Sequence, residues 1–209
     1  MHRDDRRSRR IRTLGALAGT TVSVALLAGC GPAPWNSGGE TPTATATAVA
    51  PPISNDLSGG STEREVVAGA VSATISYWST LRMDRWTADA VKPVSLSMVT
   101  TVSPDDGQKV YLQKATMIAV PANGSTGFEP LATQIDQSTV SPGYLVLAPY
   151  SYSQTFNVGT VPADATFVTL QFTYDFLVQT TPTSNEFAKQ TATDTLTVAI
   201  AGSAADSED

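Results

Sequence analysis

Histidine and cysteine carry most nucleophilic, redox and metal chemistry in proteins, and this 209-residue chain holds one of each, His2 and Cys30. If residues 1–29 are cut away, no imidazole remains and the single thiol stands at the new N-terminus. The rest of the chain then lacks the partners for Ser-His-Asp or Cys-His catalysis. It also lacks the ligands of zinc and copper sites and of haem and iron–sulfur centres. Carboxylates are left. Two of them can hydrolyse a glycoside without histidine, and Glu129, Asp136, Asp175 and Glu186 are the candidates. Nothing in their spacing pairs any two. Asp175 alternates with Thr and Gln, the ordinary place for an acid on the wet face of a strand. Asp105-Asp106-Gly107 could offer oxygens to a hard cation, but the regular acidic spacing of a Ca²⁺ loop is missing, and a turn accounts for it. The expectation is a non-catalytic chain with no metal and no cofactor.

The one thiol has a telling context. Residues 1–12 hold six arginines, and the seventeen residues 13–29 carry no charge. The apolar run 14–27 has the length of a signal h-region and is short for a membrane span. It ends Leu27-Ala28-Gly29-Cys30. Small residues at 28 and 29 let an extended chain enter a peptidase groove, and the Cys30 sulfur can form a thioether. These four residues resemble the lipobox of bacterial lipoproteins at every position, a likeness covering residues 1–30. It implies a lipoprotein precursor with a diacylglyceryl group on Cys30, cleavage between Gly29 and Cys30, and residence at the extracytoplasmic face of the cell membrane. Two acyl chains suffice for lasting attachment, because each buried CH₂ contributes roughly 0.8 kcal/mol.

Charge agrees with a covalent anchor. Removing 1–29 leaves seven Lys and Arg against seventeen Asp and Glu, a net charge of −10. That balance opposes nucleic-acid binding and electrostatic adhesion to anionic lipid. Residues 30–64, with TPTATATAVA at 41–50 and Pro51-Pro52, are too poor in apolar surface to offset ordering entropy and read as a disordered tether. Residues 202–209 (GSAADSED) read as an acidic tail.

Between them, 65–201 should carry the fold, and its period is 2. Apolar and hydroxyl residues alternate at 71–81 and 94–102. In 167–179, Val168, Leu170, Phe172, Tyr174, Phe176 and Val178 share one face. Further strands are expected at 109–120, 144–147, 150–158 and 195–200, with a weaker one at 131–135. Ser103-Pro104-Asp105-Asp106-Gly107, 121–127, Ser141-Pro142-Gly143 and Val161-Pro162-Ala163-Asp164 are turns. Residues 81–91 hold one helical turn or a loop, and 63–70 either a short helix or the lead-in to the first strand. About seven strands with no sustained helical period predict a two-sheet antiparallel sandwich. Leu147-Ala148-Pro149, Phe156-Asn157-Val158 and 167–178 resemble a strand, a corner and the long central strand of immunoglobulin-like domains. That likeness covers about a third of the domain and implies an immunoglobulin-like β-sandwich, here without an inter-sheet disulfide.

Aromatic residues are the remaining candidates for recognition. Trp78 breaks the polar face of its strand, Trp86 lies in 81–91, and Tyr150 follows Pro149. Exposed together, these three rings would form a binding surface for an envelope protein or a glycan. The competing arrangement has Trp86 plugging the end of the sandwich and Tyr152 in the core. Two other functions stay open: a small-ligand carrier or transport accessory, which needs a concave apolar pocket, and a His-free carboxylate hydrolase.

Overall fold

The computed structural model describes residues 53–124 and 126–202. The segments expected to be signal peptide, the cleavage and lipidation residues Gly29 and Cys30, most of the expected tether and the tail beyond Gly202 lie outside the described residues.

Alternation drives the architecture. β2 (Val71–Trp78) buries Val71, Ala73, Ile75 and Tyr77, and β3 (Lys92–Val102) buries Val94, Leu96 and Met98. β9 (Phe167–Gln179) answers with Val168, Leu170, Phe172, Tyr174 and Phe176. The other strands are β1 (Ser61–Ala68), β4 (Val110–Asn123), β5 (Thr126–Gly127), β6 (Gln134–Gln137), β7 (Tyr144–Leu145), β8 (Tyr152–Val158) and β10 (Phe187–Ala199). They form two antiparallel sheets. Sheet A runs β1-β2-β3-β8; sheet B runs β10-β9-β4, with β5, β6 and β7 along the far side of β4.

The chain meanders through β1, β2 and β3 and crosses to β4. It crosses back to β8 beside β3, and again to β9 beside β4. Immunoglobulin-like sandwiches have this connectivity: β2, β3 and β8 stand where strands A, B and E stand, and β4, β9 and β10 where C, F and G stand. β1 is an added strand, joined to β2 through Gly69, whose φ of +57° suits a tight hairpin. The core joins the sheets through rings, with Tyr77 5.1 Å and Phe156 6.0 Å from Phe172. Burying each such side chain contributes on the order of 1.5–3 kcal/mol.

Several expectations need correction. The domain does not begin at residue 65. Leu57 is fully buried in the core, and residues 61–64 pair with β2, so the tether assigned to 30–64 ends earlier. Residues 61–68 form a strand, not a helix. The last strand begins at Phe187 rather than 195, pairing with β9 from Gln179 onward; its inward Ala192 carries little hydrophobic signal. Residues 81–91 do hold one helical turn, one of the two expected alternatives, here the 3₁₀ turn Met83–Arg85. β4 carries a bulge at Gln113, where the register with β9 slips. The inward set therefore shifts from Val110 and Leu112 to Ala115, Met117 and Ala119. β7 pairs with β4 before the bulge and β6 after it.

Candidate functional site

The structure separates the three candidate rings. Trp86 is fully buried. Its indole N–H donates to Ser79 Oγ at 3.2 Å, and its carbonyl accepts from the Ala201 N–H at 3.1 Å. It thus ties the β2–β3 connection to the end of β10 and presents no ring to a partner. Tyr150 is 57% exposed, ahead of β8. Trp78 pairs with Ser95, which pairs with Thr155 on β8. Tyr150 precedes Thr155 by five positions, about 17 Å of extended chain. A joint patch of Trp78, Trp86 and Tyr150 is therefore not formed.

Trp78 instead belongs to the outer face of sheet A. The registers place side chains there in rows: Ser61, Trp78, Ser95 and Thr155; then Glu63, Ser76, Ser97 and Ser153; then Glu65, Thr74 and Val99; then Val67, Ser72 and Thr101. The Ser76 hydroxyl donates to Glu63 at 3.2 Å, Ser72 to Glu65 at 2.6 Å, and Ser95 and Thr155 share a bond of 2.8 Å. No Lys or Arg stands in these rows. Trp78 is partly buried, and its indole N–H has no protein partner among the described residues yet is not sealed from solvent.

The outer face of sheet B has a different character. Asp175 is 4% exposed, where the alternation predicted an ordinary wet acid. Lys114 and Lys189 each place Nζ 3.1 Å from its Oδ2, and the Thr191 hydroxyl donates to Oδ1 at 2.8 Å. Burial alone pushes this carboxyl up, but the hydroxyl and the two ammonium groups outweigh it and hold its pKa below the usual range.

Asp136 lies on the other side of the same sheet. Across β4 it pairs with Ala115, while Asp175 pairs with Lys114, so the two acids project to opposite faces. The Tyr152 hydroxyl donates to Asp136 Oδ2 at 2.7 Å, and the Tyr144 ring lies 5.4 Å from that of Tyr152. Burial first, then the Asp136 carboxylate, raises both phenols above their ordinary pKa. Tyr152 is buried in the core cluster. Glu129 and Glu186 are exposed and flank no other candidate acid in the registers.

Asp105–Gly107 is a self-satisfied turn. The Gly107 N–H donates to Asp105 Oδ1 at 3.0 Å, the Asp106 N–H to Gln108 Oε1 at 2.7 Å, and Gln108 Nε2 to the Pro104 carbonyl at 2.6 Å. Among the described residues no three His, Cys, Asp or Glu side chains group to hold a metal ion.

Two polar features escape a reading by residue type. Lys92 is fully buried, donating to the carbonyls of Thr87 at 3.0 Å and Ala90 at 2.6 Å. Burial lowers its pKa, and Asp89 partly restores it. Its parity with Val94 and Leu96 was the available signal. The same loop borders a depression of about 340 Å³ lined by Thr87, Ala88, Asp89, Ala163 and Ile200, at the end of the sandwich rather than between the sheets. In the core, the hydroxyls of Tyr77 and Tyr174 lie 2.9 Å apart, and Tyr77 donates to Asp194 Oδ2 at 2.9 Å. A carboxylate only accepts, so Tyr77 spends its proton on Asp194 and Tyr174 donates to Tyr77.

No protein-family model matches this sequence, and no curated protein matches it.

Proposed function

We propose that the chain is an exported lipoprotein, held at the extracytoplasmic face of the cell membrane by acyl chains on Cys30, whose non-catalytic sandwich binds an envelope partner. The observation that carries this is Leu27-Ala28-Gly29-Cys30 behind seventeen uncharged residues and six arginines, with no other cysteine in the chain. The sandwich supports the second half of the reading. It is a β platform with a polar outer face on sheet A, and about 25 residues of sequence separate Cys30 from Leu57, the first residue of the core. As flexible chain, about 25 residues average on the order of 30 Å end to end, enough to lift a domain off a membrane surface.

Mass spectrometry of the native protein extracted from membranes tests the anchor. The mature polypeptide should begin at Cys30 and carry acyl mass on it, and Cys30→Ser should abolish both. A mature N-terminus elsewhere, or an unmodified Cys30, removes the proposed location. Crosslinking in intact envelopes tests the binding role. A reproducible partner is expected, and recovery of none across several growth conditions defeats that half.

A further inference from the structure

We infer that the outer face of sheet A around Trp78 is a docking surface for an uncharged polysaccharide of the cell envelope. This rests on the reading of the sandwich as a binding module and assigns that module its surface and the chemistry of its partner.

The argument begins with the side chains that the registers bring together. Trp78 stands in one row with Ser61, Ser95 and Thr155, and beside the row of Ser76, Ser97 and Ser153. The sheet thus sets one indole in a field of hydroxyls spaced about 4.8 Å across strands and about 7 Å along them. A hydroxyl both donates and accepts; Ser95 is buried against Thr155 and Ser76 is bonded to Glu63, so the exposed Ser61, Ser153 and Thr155 and the partly exposed Ser97 are the groups that can meet sugar hydroxyls in either sense. The indole supplies what the hydroxyls lack, a flat apolar surface for the C–H face of a pyranose ring. The residue is partly buried, but its N–H, unpartnered among the described residues and not sealed from solvent, is a donor for a sugar oxygen. Trp86 offers no such surface, because it is buried and already bonded to Ser79.

Charge selects the class of glycan. The rows contain no cation, and Glu63 and Glu65 stand at the β1 margin. An anionic polymer would meet only repulsion there. Sheet B, which does carry Lys114 and Lys189, has spent them on Asp175. A protein partner fits less well, because hot spots need an apolar surround that excludes water, and here the surround is Ser and Thr.

Affinity electrophoresis of the mature lipoprotein in detergent tests this, with pullulan, mannan, galactan and arabinan as neutral probes and alginate as the anionic control. At least one neutral polymer should retard the protein, and alginate should not. Trp78→Ala should weaken the retardation at least tenfold. Thr74→Arg, which changes an exposed residue of the same face and leaves the core untouched, should also weaken it, while Tyr150→Ala should not. Circular dichroism and thermal unfolding establish that each variant is folded. No retardation by any neutral polymer, or retardation unchanged in both Trp78→Ala and Thr74→Arg, overturns the inference. If envelope crosslinking still captures a partner in that case, the binding role stands and only this surface falls.

Discussion

Asp56 and Thr197 are locked together by a reciprocal pair of hydrogen bonds: the Asp56 N–H donates to the Thr197 carbonyl at 2.8 Å, and the Thr197 N–H donates to Asp56 Oδ2 at 2.7 Å. Arg64 from β1 completes the clamp, 2.8 Å from Oδ1. A side chain and its own backbone here act as a strand would, covering outward-facing groups of the edge strand β10. Asp56→Ala should cost about 2–3 kcal/mol in urea unfolding, the scale of a lost charge-assisted bond with a backbone N–H left exposed. The Arg64 contribution is small, since that pair is partly in water. Asp56→Asn keeps an acceptor and should lose about half as much. An unchanged midpoint for Asp56→Ala would show the clamp to be incidental.

The opposite edge of the sandwich has an equivalent device. Gln134 Nε2 donates to the Asn157 carbonyl at 2.6 Å, and the Asn157 N–H donates to Gln134 Oε1 at 3.0 Å. One carboxamide from sheet B mimics a peptide against the edge strand β8 of sheet A. Two residues earlier, the Thr155 N–H is covered by Gln154, as the Thr195 N–H on β10 is covered by Asp194. Open edges template association. Gln134→Ala should lower stability by about 1–2 kcal/mol and introduce concentration-dependent self-association, measured by sedimentation velocity. A strictly unchanged sedimentation coefficient across a wide concentration range would remove the protective role.

These closures explain what was legible in the sequence and what was not. Strands such as β2 and β9 announce themselves because each inward position holds a large apolar side chain, so the sandwich could be read from alternation. β1 could not, because Ser61, Glu63 and Glu65 face water and Leu57 is a single apolar residue in a polar stretch. The bulge at Gln113 breaks the parity that pattern reading depends on. The aromatic candidates failed as a group for another reason. Alternation identifies the face of a side chain, and it sets Trp78 on the polar face of its strand. Trp86 lies in irregular chain, where no period tells inside from outside. Gln134 and Asp56 were invisible, because nothing local says which two edges will meet.

Asp175 makes a prediction about acid. Its folded pKa is held below that of an unfolded aspartate, so it contributes stability above the unfolded value, about 3.9. That contribution is lost as pH falls through the lower folded value. Asp175→Asn should cost about 1–2 kcal/mol at pH 7, since Lys114 and Lys189 lose their shared partner but remain part-solvated. The difference from the unmodified protein should shrink as pH is lowered from about 4. Urea unfolding at each pH reads it directly. A gap that stays constant as pH falls would mean the ion cluster contributes nothing specific.

The tyrosines make the complementary prediction in alkali. Tyr77, Tyr152 and Tyr174 all have folded pKa values raised above 10, chiefly by burial; for Tyr77, Tyr174 and Asp194 add to it, and for Tyr152, Asp136 does. Groups shifted upward stabilise the fold fully below the unfolded pKa, near 10. They lose that contribution as pH rises toward the folded values, because only the unfolded chain releases their protons. Absorbance at 295 nm should therefore show these three tyrosines silent at pH 10–11, then ionising together with unfolding. Tyr77→Phe should cost about 1–2 kcal/mol at pH 7, because Asp194 and the Tyr174 hydroxyl lose their partner. Its deficit should narrow above pH 10, since one proton fewer is then released on unfolding. If these three phenols ionised smoothly near pH 10 with the fold intact, the buried hydroxyl chain between the sheets would have to be open to water.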